Sequence, residues 1–352
     1  MGKLRGVLIG CGAIAREHLA AVAELGDVEV AGICDISPVR AEAAAERFGI
    51  ARWYTSHQKL LDDIRPDLVH ITTPPSSHFA IARDCLSAGL NVLCEKPITL
   101  DYAEFVQLKT MAARSGCMFV ENQSYRFHSS VRRIEELVRT GELGDVLEVQ
   151  VCLSLDLFGA GSSYVDLNAP HFGLALRGGV IGDFLPHIAY LAHMFTGPVS
   201  DVRTLWTKHT VDSPLPADEF RGFIRGTRAN GYVSFSGNGK PNGFLVRVAG
   251  TRMRTEADLF EPPRNTRKRS RRGEPALMTL VDGIAEARDV LRGTLAGFSR
   301  KLGGTSSNDG LSEVIARTYR AVERREPQPV DLDDMDAAAR LVDCFTREDL
   351  KL

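Results

Sequence analysis

A rhythm restricts the fold of this chain more than any single residue does. From Leu4 to Val120, short apolar runs alternate with segments of helical periodicity. The runs are Leu4–Ile9, Val28–Cys34, Leu68–Thr72, Asn91–Cys94 and Met118–Val120. They are short and mostly Val, Ile and Leu, as strands buried on both faces are. Between them stand Arg16–Leu25, Ala41–Phe48, His57–Asp63, a helix opening at Ser77 or His78 and ending before Gly89, and Asp101–Ala113. Ser37 followed by Pro38 supplies an N-cap and a first helical residue for the second of these. Strand, helix, strand, repeated, predicts a parallel α/β sheet.

The first turn of that rhythm has a particular chemistry. Gly10-Cys11-Gly12-Ala13-Ile14-Ala15 joins a strand to a helix and reads G-x-G-x-x-A. Gly10 permits the tight turn, Gly12 lets the backbone approach a pyrophosphate, and Ala15 keeps helix and strand close. The helix N-terminus then faces the phosphates. Asp35 ends the second strand, where an acid accepts hydrogen bonds from an adenine ribose and repels a 2′-phosphate. This favours NAD. Arg40 is close enough in sequence to hold that phosphate, so NADP stays open as the second cofactor. The first domain is therefore expected to be a Rossmann dinucleotide-binding domain over residues 1–123.

The run Val92-Leu93-Cys94 ends abruptly in Glu95-Lys96-Pro97. Ligands of open α/β sheets sit at the carboxyl ends of the strands, so Lys96 should emerge where chemistry is done. A surface lysine in a strand-to-helix loop is the plainer alternative. After about Glu121 the rhythm stops. Ser129–Leu137 reads as a helix and Val146–Leu155 as a half-buried strand. Short β-rich runs follow at Arg203–Thr207, Arg221–Ile224, Gly231–Ser236 and Gly243–Val248. Residues 124–352 are thus expected to form an α+β domain with a mostly antiparallel or mixed sheet.

Within it, Arg177-Gly178-Gly179-Val180-Ile181-Gly182-Asp183-Phe184-Leu185-Pro186-His187 leads into a helical stripe of Leu185, Ile188, Leu191 and Met194. Pro186 lacks an N–H, which places it in the first turn and the helix start near Gly182 or Asp183. Asp183 and His187 stand i and i+4, on one face. His is the usual general base near neutral pH, and an acid can orient its ring. A capping Asp and a satisfied core His are the bland alternatives. A metal site on Asp183, His187 and His193 is disfavoured, because His187 and His193 fall on different faces; no metal is expected.

Composition bounds partners. The 43 Lys and Arg nearly balance the 45 Asp and Glu, for a net charge of −2, which argues against nucleic acid as the main partner. No apolar run approaches the ~20 residues of a membrane span. The seven cysteines are scattered, and no export signal opens the chain, so reduced thiols and a cytoplasmic location are expected.

Taken together, these motifs resemble the Gfo/Idh/MocA oxidoreductase family, which includes glucose–fructose oxidoreductase and inositol dehydrogenase. The matching pieces are the glycine turn, Asp35, Thr73-Pro74-Pro75-Ser76-Ser77-His78, Glu95-Lys96-Pro97, Tyr125-Arg126-Phe127 and the block from Gly178 to His187. The resemblance implies NAD held by Gly10, Gly12, Ala13, Ile14, Asp35, Arg40, Thr72, Pro74, His78, Glu95 and Lys96. It implies a substrate held by Lys96, Tyr125, Arg126, Asp183 and His187. Lys96, Asp183 and His187 would be catalytic, with His187 the acid/base for a secondary alcohol. A carbohydrate-like substrate and a homodimer or homotetramer follow from the same resemblance. Two positions depart from the pattern: Phe127 is followed by His128 and Ser129 rather than an early proline, and Pro186 stands where a small residue is common.

Two other functions compete with a sugar, cyclitol or nucleotide-sugar dehydrogenase. One is an NAD-dependent glycosidase that oxidises transiently and eliminates. The other is a non-catalytic nucleotide-binding relative. An atypical insertion spans about 261–310. Its basic run from Arg264 to Arg272 and an amphipathic helix over Pro275–Leu302 suggest packing on the second domain, or peripheral contact with an anionic membrane through 264–302.

Overall fold

The computed structural model describes residues 2–159, 162, 172–261, 266–269, 280, 283–284, 287–288, 291 and 309–347. Two compact units result, Met1–Ser124 with Gly310–Arg340, and Tyr125–Asp309 with Leu341–Leu352.

In the first unit, the apolar runs become β1 (Leu4–Ile9), β2 (Val28–Cys34), β4 (Leu68–Ile71), β5 (Asn91–Cys94) and β6 (Phe119–Glu121). A two-residue strand, β3 (Trp53–Tyr54), is too short to show as a run in the sequence. All pair in parallel in the order β3-β2-β1-β4-β5-β6. The helices are α1 (Ala13–Ala23), α2 (Pro38–Phe48), α3 (His57–Ile64), α4 (His78–Ser87) and α5 (Tyr102–Ser115). Ser37 caps α2 as expected, and Ser56 and Asp101 cap α3 and α5. The central strands are sealed from water: Leu68, Val69, Ile71, Val92, Leu93 and Cys94 are all fully buried. Each large aliphatic chain so buried contributes roughly 1.5–3 kcal/mol. The chain runs outward from β1 to β3 and returns beside β1 as β4. That reversal is the topological switch point, where such sheets bind ligands beyond their carboxyl ends.

Residues 310–340 were expected in the second domain but cluster with the first. The reason is a set of specific bonds. The Gln328 side-chain amide pairs with both backbone groups of Phe119, at 3.1 Å each, closing the edge strand β6. Lys109 on α5 bonds Asp333 at 2.7 Å and Asp336 at 2.9 Å, and Tyr102 bonds Asp336 at 2.8 Å. Those partners lie in the turn after α8 (Asp309–Arg324) and on α9 (Leu332–Thr346).

In the second unit, α6 (Ser129–Arg139) precedes a seven-stranded sheet ordered β13-β12-β11-β7-β10-β9-β8. Its strands are β7 (Val146–Asp156), β8 (Val199–Thr207), β9 (Glu219–Gly226), β10 (Asn230–Ser236), β11 (Asn238–Gly250), β12 (Met253–Asp258) and β13 (Thr266–Arg269). Only β10 and β7 run parallel, so the sheet is mixed. One face is covered by α7 (Val180–Thr196), a helix buried almost all round. On β8–β10, Leu205, Phe223 and Tyr232 point to the opposite face, where Phe223 is 63% exposed.

Two expectations are corrected here. Helix α7 begins at Val180, not at Gly182 or Asp183, so Pro186 lies inside the helix rather than in its first turn. The early start is possible because Gly182 has no Cβ: one there would stand 2.2 Å from the Arg177 carbonyl oxygen. Thr266–Arg269, within the expected basic loop, is instead an edge strand paired antiparallel with β12. The rest of the basic run, and most of the helix expected over 275–302, lie outside the described residues. No helix among the described residues is long and apolar enough to cross a membrane.

Candidate functional site

The carboxyl edge of the first sheet is shaped to receive an anion. Gly10 has φ +101°, and a Cβ there would lie 2.6 Å from the Thr73 nitrogen. Both constraints demand glycine. The Thr72 hydroxyl locks the turn by donating to the Gly10 carbonyl at 2.6 Å. Gly12 faces open space and caps α1 with no side chain; no acid sits in the first turn. The first N–H groups of α1 therefore stay available to a phosphate.

Asp35 is 7% exposed. Its Oδ2 accepts from the Cys11 N–H at 2.8 Å, and its Oδ1 from the Ser37 N–H at 2.8 Å. Arg40 also bonds Oδ1, with Nε and Nη2 both at 3.2 Å. The acid thus anchors the glycine turn and draws Arg40 onto itself. Among the other expected cofactor residues, Ala13 and Pro74 are exposed and Ile14 is half-buried at this edge.

His78 is placed differently from expectation. It is fully buried, with Nδ1 2.8 Å from the Pro97 carbonyl oxygen and Nε2 2.8 Å from that of Thr73. Burial lowers its pKa, so a neutral ring donates to one carbonyl at a time. His78 is a staple between two loops, not an open cofactor ligand.

Around Lys96 two carboxylates frame the turn. Glu95 accepts the Lys96 N–H at 3.2 Å, and Glu121 accepts the Ile98 N–H at 3.3 Å. Their environments push them apart. Burial alone would raise both. The His18 hydrogen bond and charge, Asn122 and Lys96 instead draw the Glu95 carboxyl down to about 2. Burial, with the Glu95 charge beside it, raises that of Glu121. Glu95 was expected among the residues that hold NAD, but it is buried, and its oxygens are engaged by His18, Asn122 and the Lys96 N–H. Lys96 itself is half-buried. Just beyond β6, Asn122 Oδ1 and Gln123 Oε1 are buried acceptors that meet no donor among the described residues. Unmet buried acceptors call for a ligand that carries N–H or O–H groups. A helix end ready for pyrophosphate, an acid beside it and unmet acceptors past β6 together fit a dinucleotide.

In the second unit, Gly178 (φ +79°) and Gly179 (φ +63°) turn the chain into α7. A Cβ on Gly178 would stand 2.6 Å from the Trp206 ring. The helix that follows is apolar, yet it buries Asp183 and His187 at 6% and 9% exposure. His187 Nδ1 lies 2.9 Å from the Tyr190 hydroxyl, which also accepts the Tyr125 N–H at 3.2 Å. The Tyr125 ring stands edge-on to His187, centroids 4.9 Å apart. The sequence assigned the orienting of His187 to Asp183; Tyr190 is the partner seen at Nδ1. Arg126, expected at the substrate, is half-buried in the turn after Tyr125. Among the described residues no group of three His, Cys, Asp or Glu is placed to hold a metal.

His18, Glu121, Asn122 and Tyr190 were missed. His18 and Tyr190 lie on buried helix faces and Glu121 ends a buried strand, polar groups among apolar neighbours that could have found them; Asn122, in the turn after β6, carries no such signal.

Fold and sites together define a two-unit α/β protein whose first unit is a dinucleotide-binding Rossmann domain. Residues 4–123 match the model of the Gfo/Idh/MocA oxidoreductase family, NAD-binding Rossmann fold. D-apiose dehydrogenase from Paraburkholderia graminis is 26% identical over 200 residues, 56% of this chain and 51% of the relative. The matched region therefore spans about half the length of the curated relatives. The fold match extends over nearly the whole chain. UDP-N-acetylglucosamine 3-dehydrogenase from Acidithiobacillus ferrooxidans superposes with a TM-score of 0.73 at 20% identity, covering 98% of this chain and 97% of that one. An oxidoreductase from Agrobacterium radiobacter, in complex with NAD+, L-tartaric acid and magnesium, gives 0.77 at 18% identity, covering 97% and 94%.

Proposed function

We propose that this protein is an NAD(H)-dependent dehydrogenase that transfers hydride to or from a secondary alcohol carbon of a sugar, cyclitol or nucleotide sugar. The observation that carries this is a buried imidazole, His187, held at Nδ1 by Tyr190 inside an apolar helix, in a chain whose first unit is an NAD-binding domain. The named relative that oxidises a sugar supports the substrate class.

NAD, when bound, supplies the hydride acceptor. Gly10, Gly12 and the α1 N-terminus would hold its pyrophosphate, and Asp35 its adenine ribose. Asp35 carries the preference for NAD over NADP, because a 2′-phosphate would meet a carboxylate that already occupies Arg40. Lys96 and His187 act at the reacting hydroxyl. With Nδ1 engaged by Tyr190, His187 takes the hydroxyl proton at Nε2 as the C–H hydride departs and the carbinol becomes a carbonyl. The Lys96 ammonium stabilises the developing oxyanion. Asp183, one turn before His187, adds negative charge that favours the imidazolium formed. Tyr125 and Arg126 bound the substrate.

We also propose a homo-oligomer that covers the open sheet face bearing Phe223, Tyr232 and Leu205. Light scattering on the intact chain against Phe223→Glu tests that. The test of function is a panel of free sugars, cyclitols and nucleotide sugars offered with NAD+, followed by NADH absorbance. Oxidation of one class that is lost in His187→Ala supports the reading. Oxidation that survives in that variant refutes the assigned role.

A further inference from the structure

Three polar residues sit where the first sheet should be apolar. His70 is the one polar residue of β4, and His18 lies on the buried face of α1. Tyr319, on α8, reaches β1 at Gly6, where a Cβ would stand 2.0 Å from its hydroxyl oxygen. Glycine within a strand is unfavourable by roughly 0.5–1 kcal/mol, so the space is kept for that hydroxyl at some cost. His18 and His70 are almost wholly buried and Tyr319 is 2% exposed.

They form a continuous chain of bonds. The Tyr319 hydroxyl is 2.8 Å from His70 Nε2, His70 Nδ1 is 3.0 Å from His18 Nδ1, and His18 Nε2 is 2.8 Å from Glu95 Oε1. Hydrogen-bond bookkeeping fixes the directions. Ionised Glu95 can only accept, so His18 must donate from Nε2. Burial, with His18 beside it, holds the His70 pKa well below the usual range, so His70 carries one proton. If that proton is on Nδ1, it is donated to His18, and Nε2 accepts the Tyr319 O–H. A proton gained by His18 would reverse the two later bonds and leave the donation to Glu95 unchanged. In the second arrangement the Tyr319 oxygen accepts from His70 instead of donating to it.

Buried networks of this kind are costly where an apolar core would serve, and they fix geometry when fully satisfied. We propose that Tyr319, His70 and His18 are positioning residues: through Glu95 they hold the Lys96 backbone, and hence its side chain, in place for the cofactor and substrate. Glu95 is the link, since one oxygen takes His18 and Asn122 while the other takes the Lys96 N–H. The effect on cofactor rests on the role proposed above for Lys96; the effect on the Lys96 backbone does not.

The test uses the intact chain with selective labelling of lysine nitrogen, and NADH as the probe ligand. His18→Leu should move the Lys96 amide resonance and weaken NADH binding about tenfold. His18→Gln, whose amide keeps an N–H near the place of Nε2, should restore both to within about threefold of wild type. His18→Leu combined with Lys96→Ala should bind NADH no more weakly than Lys96→Ala alone, because both act through one group. If the Lys96 amide is unmoved in His18→Leu, or if the two losses simply add, the network is structural only and the proposal is overturned. If the amide moves while Lys96→Ala leaves NADH affinity intact, positioning stands and the cofactor role of Lys96 falls.

Discussion

Replacing Glu95 by Gln removes a charge that the fold has made unusually easy to hold. Its carboxyl titrates at about 2 against an ordinary 4.5. Each tenfold change is worth ~1.4 kcal/mol, so ionised Glu95 contributes about 3 kcal/mol to folding at neutral pH. The folded-state pKa lies below the unfolded one. The stabilisation is therefore complete above about 4.5 and is lost as pH falls towards 2. Glu121 is shifted the other way by burial and by the Glu95 charge; Glu95→Gln removes the second cause, which offsets part of the loss, so the figures below are upper values. Urea unfolding followed by far-ultraviolet circular dichroism, at pH 7 and pH 3, measures the difference. Glu95→Gln should be less stable by about 3 kcal/mol at pH 7, and the deficit should shrink to about 1 kcal/mol at pH 3. An equal deficit at both values would mean that shape, not ionisation, makes Glu95 necessary. No deficit at pH 7 would refute the electrostatic account of this turn.

By calorimetry, the wild type should bind NADH at least tenfold more tightly than NADPH, about 1.4 kcal/mol, and Asp35→Ala should narrow the gap. Preference for NADPH would show that Arg40 outweighs Asp35. Gly6→Ala should lower stability by roughly 1–3 kcal/mol through overlap with the Tyr319 hydroxyl. Adding Tyr319→Phe should recover part of that, since the ring carbon behind the hydroxyl is 3.2 Å away. Absence of recovery in thermal melts would place the strain elsewhere. Tyr190→Phe should shift the pH profile of turnover with little change in NADH affinity, and an unmoved profile would remove Tyr190 from the acid/base pair.

Much of the first unit was legible because its strands are short, mostly apolar runs and its turns use glycine, serine and proline where geometry requires them. Gly10, Gly12, Asp35 and Lys96 fall at strand ends, where period and position can be read directly. Residues 310–340 were not legible as part of that unit, because the bond from Gln328 to Phe119 spans 209 positions and leaves no local pattern. The start of α7 was misplaced for a related reason. Pro186 argues for a first turn, but the close approach of Gly182 to the Arg177 carbonyl lets the helix begin earlier. His78 read as a ligand because it follows Thr73-Pro74-Pro75; only the position of the Pro97 carbonyl reveals it as a staple. The role of Tyr190 was hidden in an apolar stripe, where an aromatic residue usually means packing.

Hydride transfer that depends on both Lys96 and His187 is the central claim. It is tested most directly by offering NAD+ and each member of the sugar, cyclitol and nucleotide-sugar panel to wild type, Lys96→Ala and His187→Ala, with NADH formation as the readout. At least one secondary alcohol should be oxidised by the wild type. His187→Ala should lower that turnover by roughly 10²–10⁴ while binding NADH normally, and Lys96→Ala should lower both turnover and substrate affinity. A wild type that binds NADH yet oxidises no panel member, or a His187→Ala enzyme with near-normal turnover, would contradict the account.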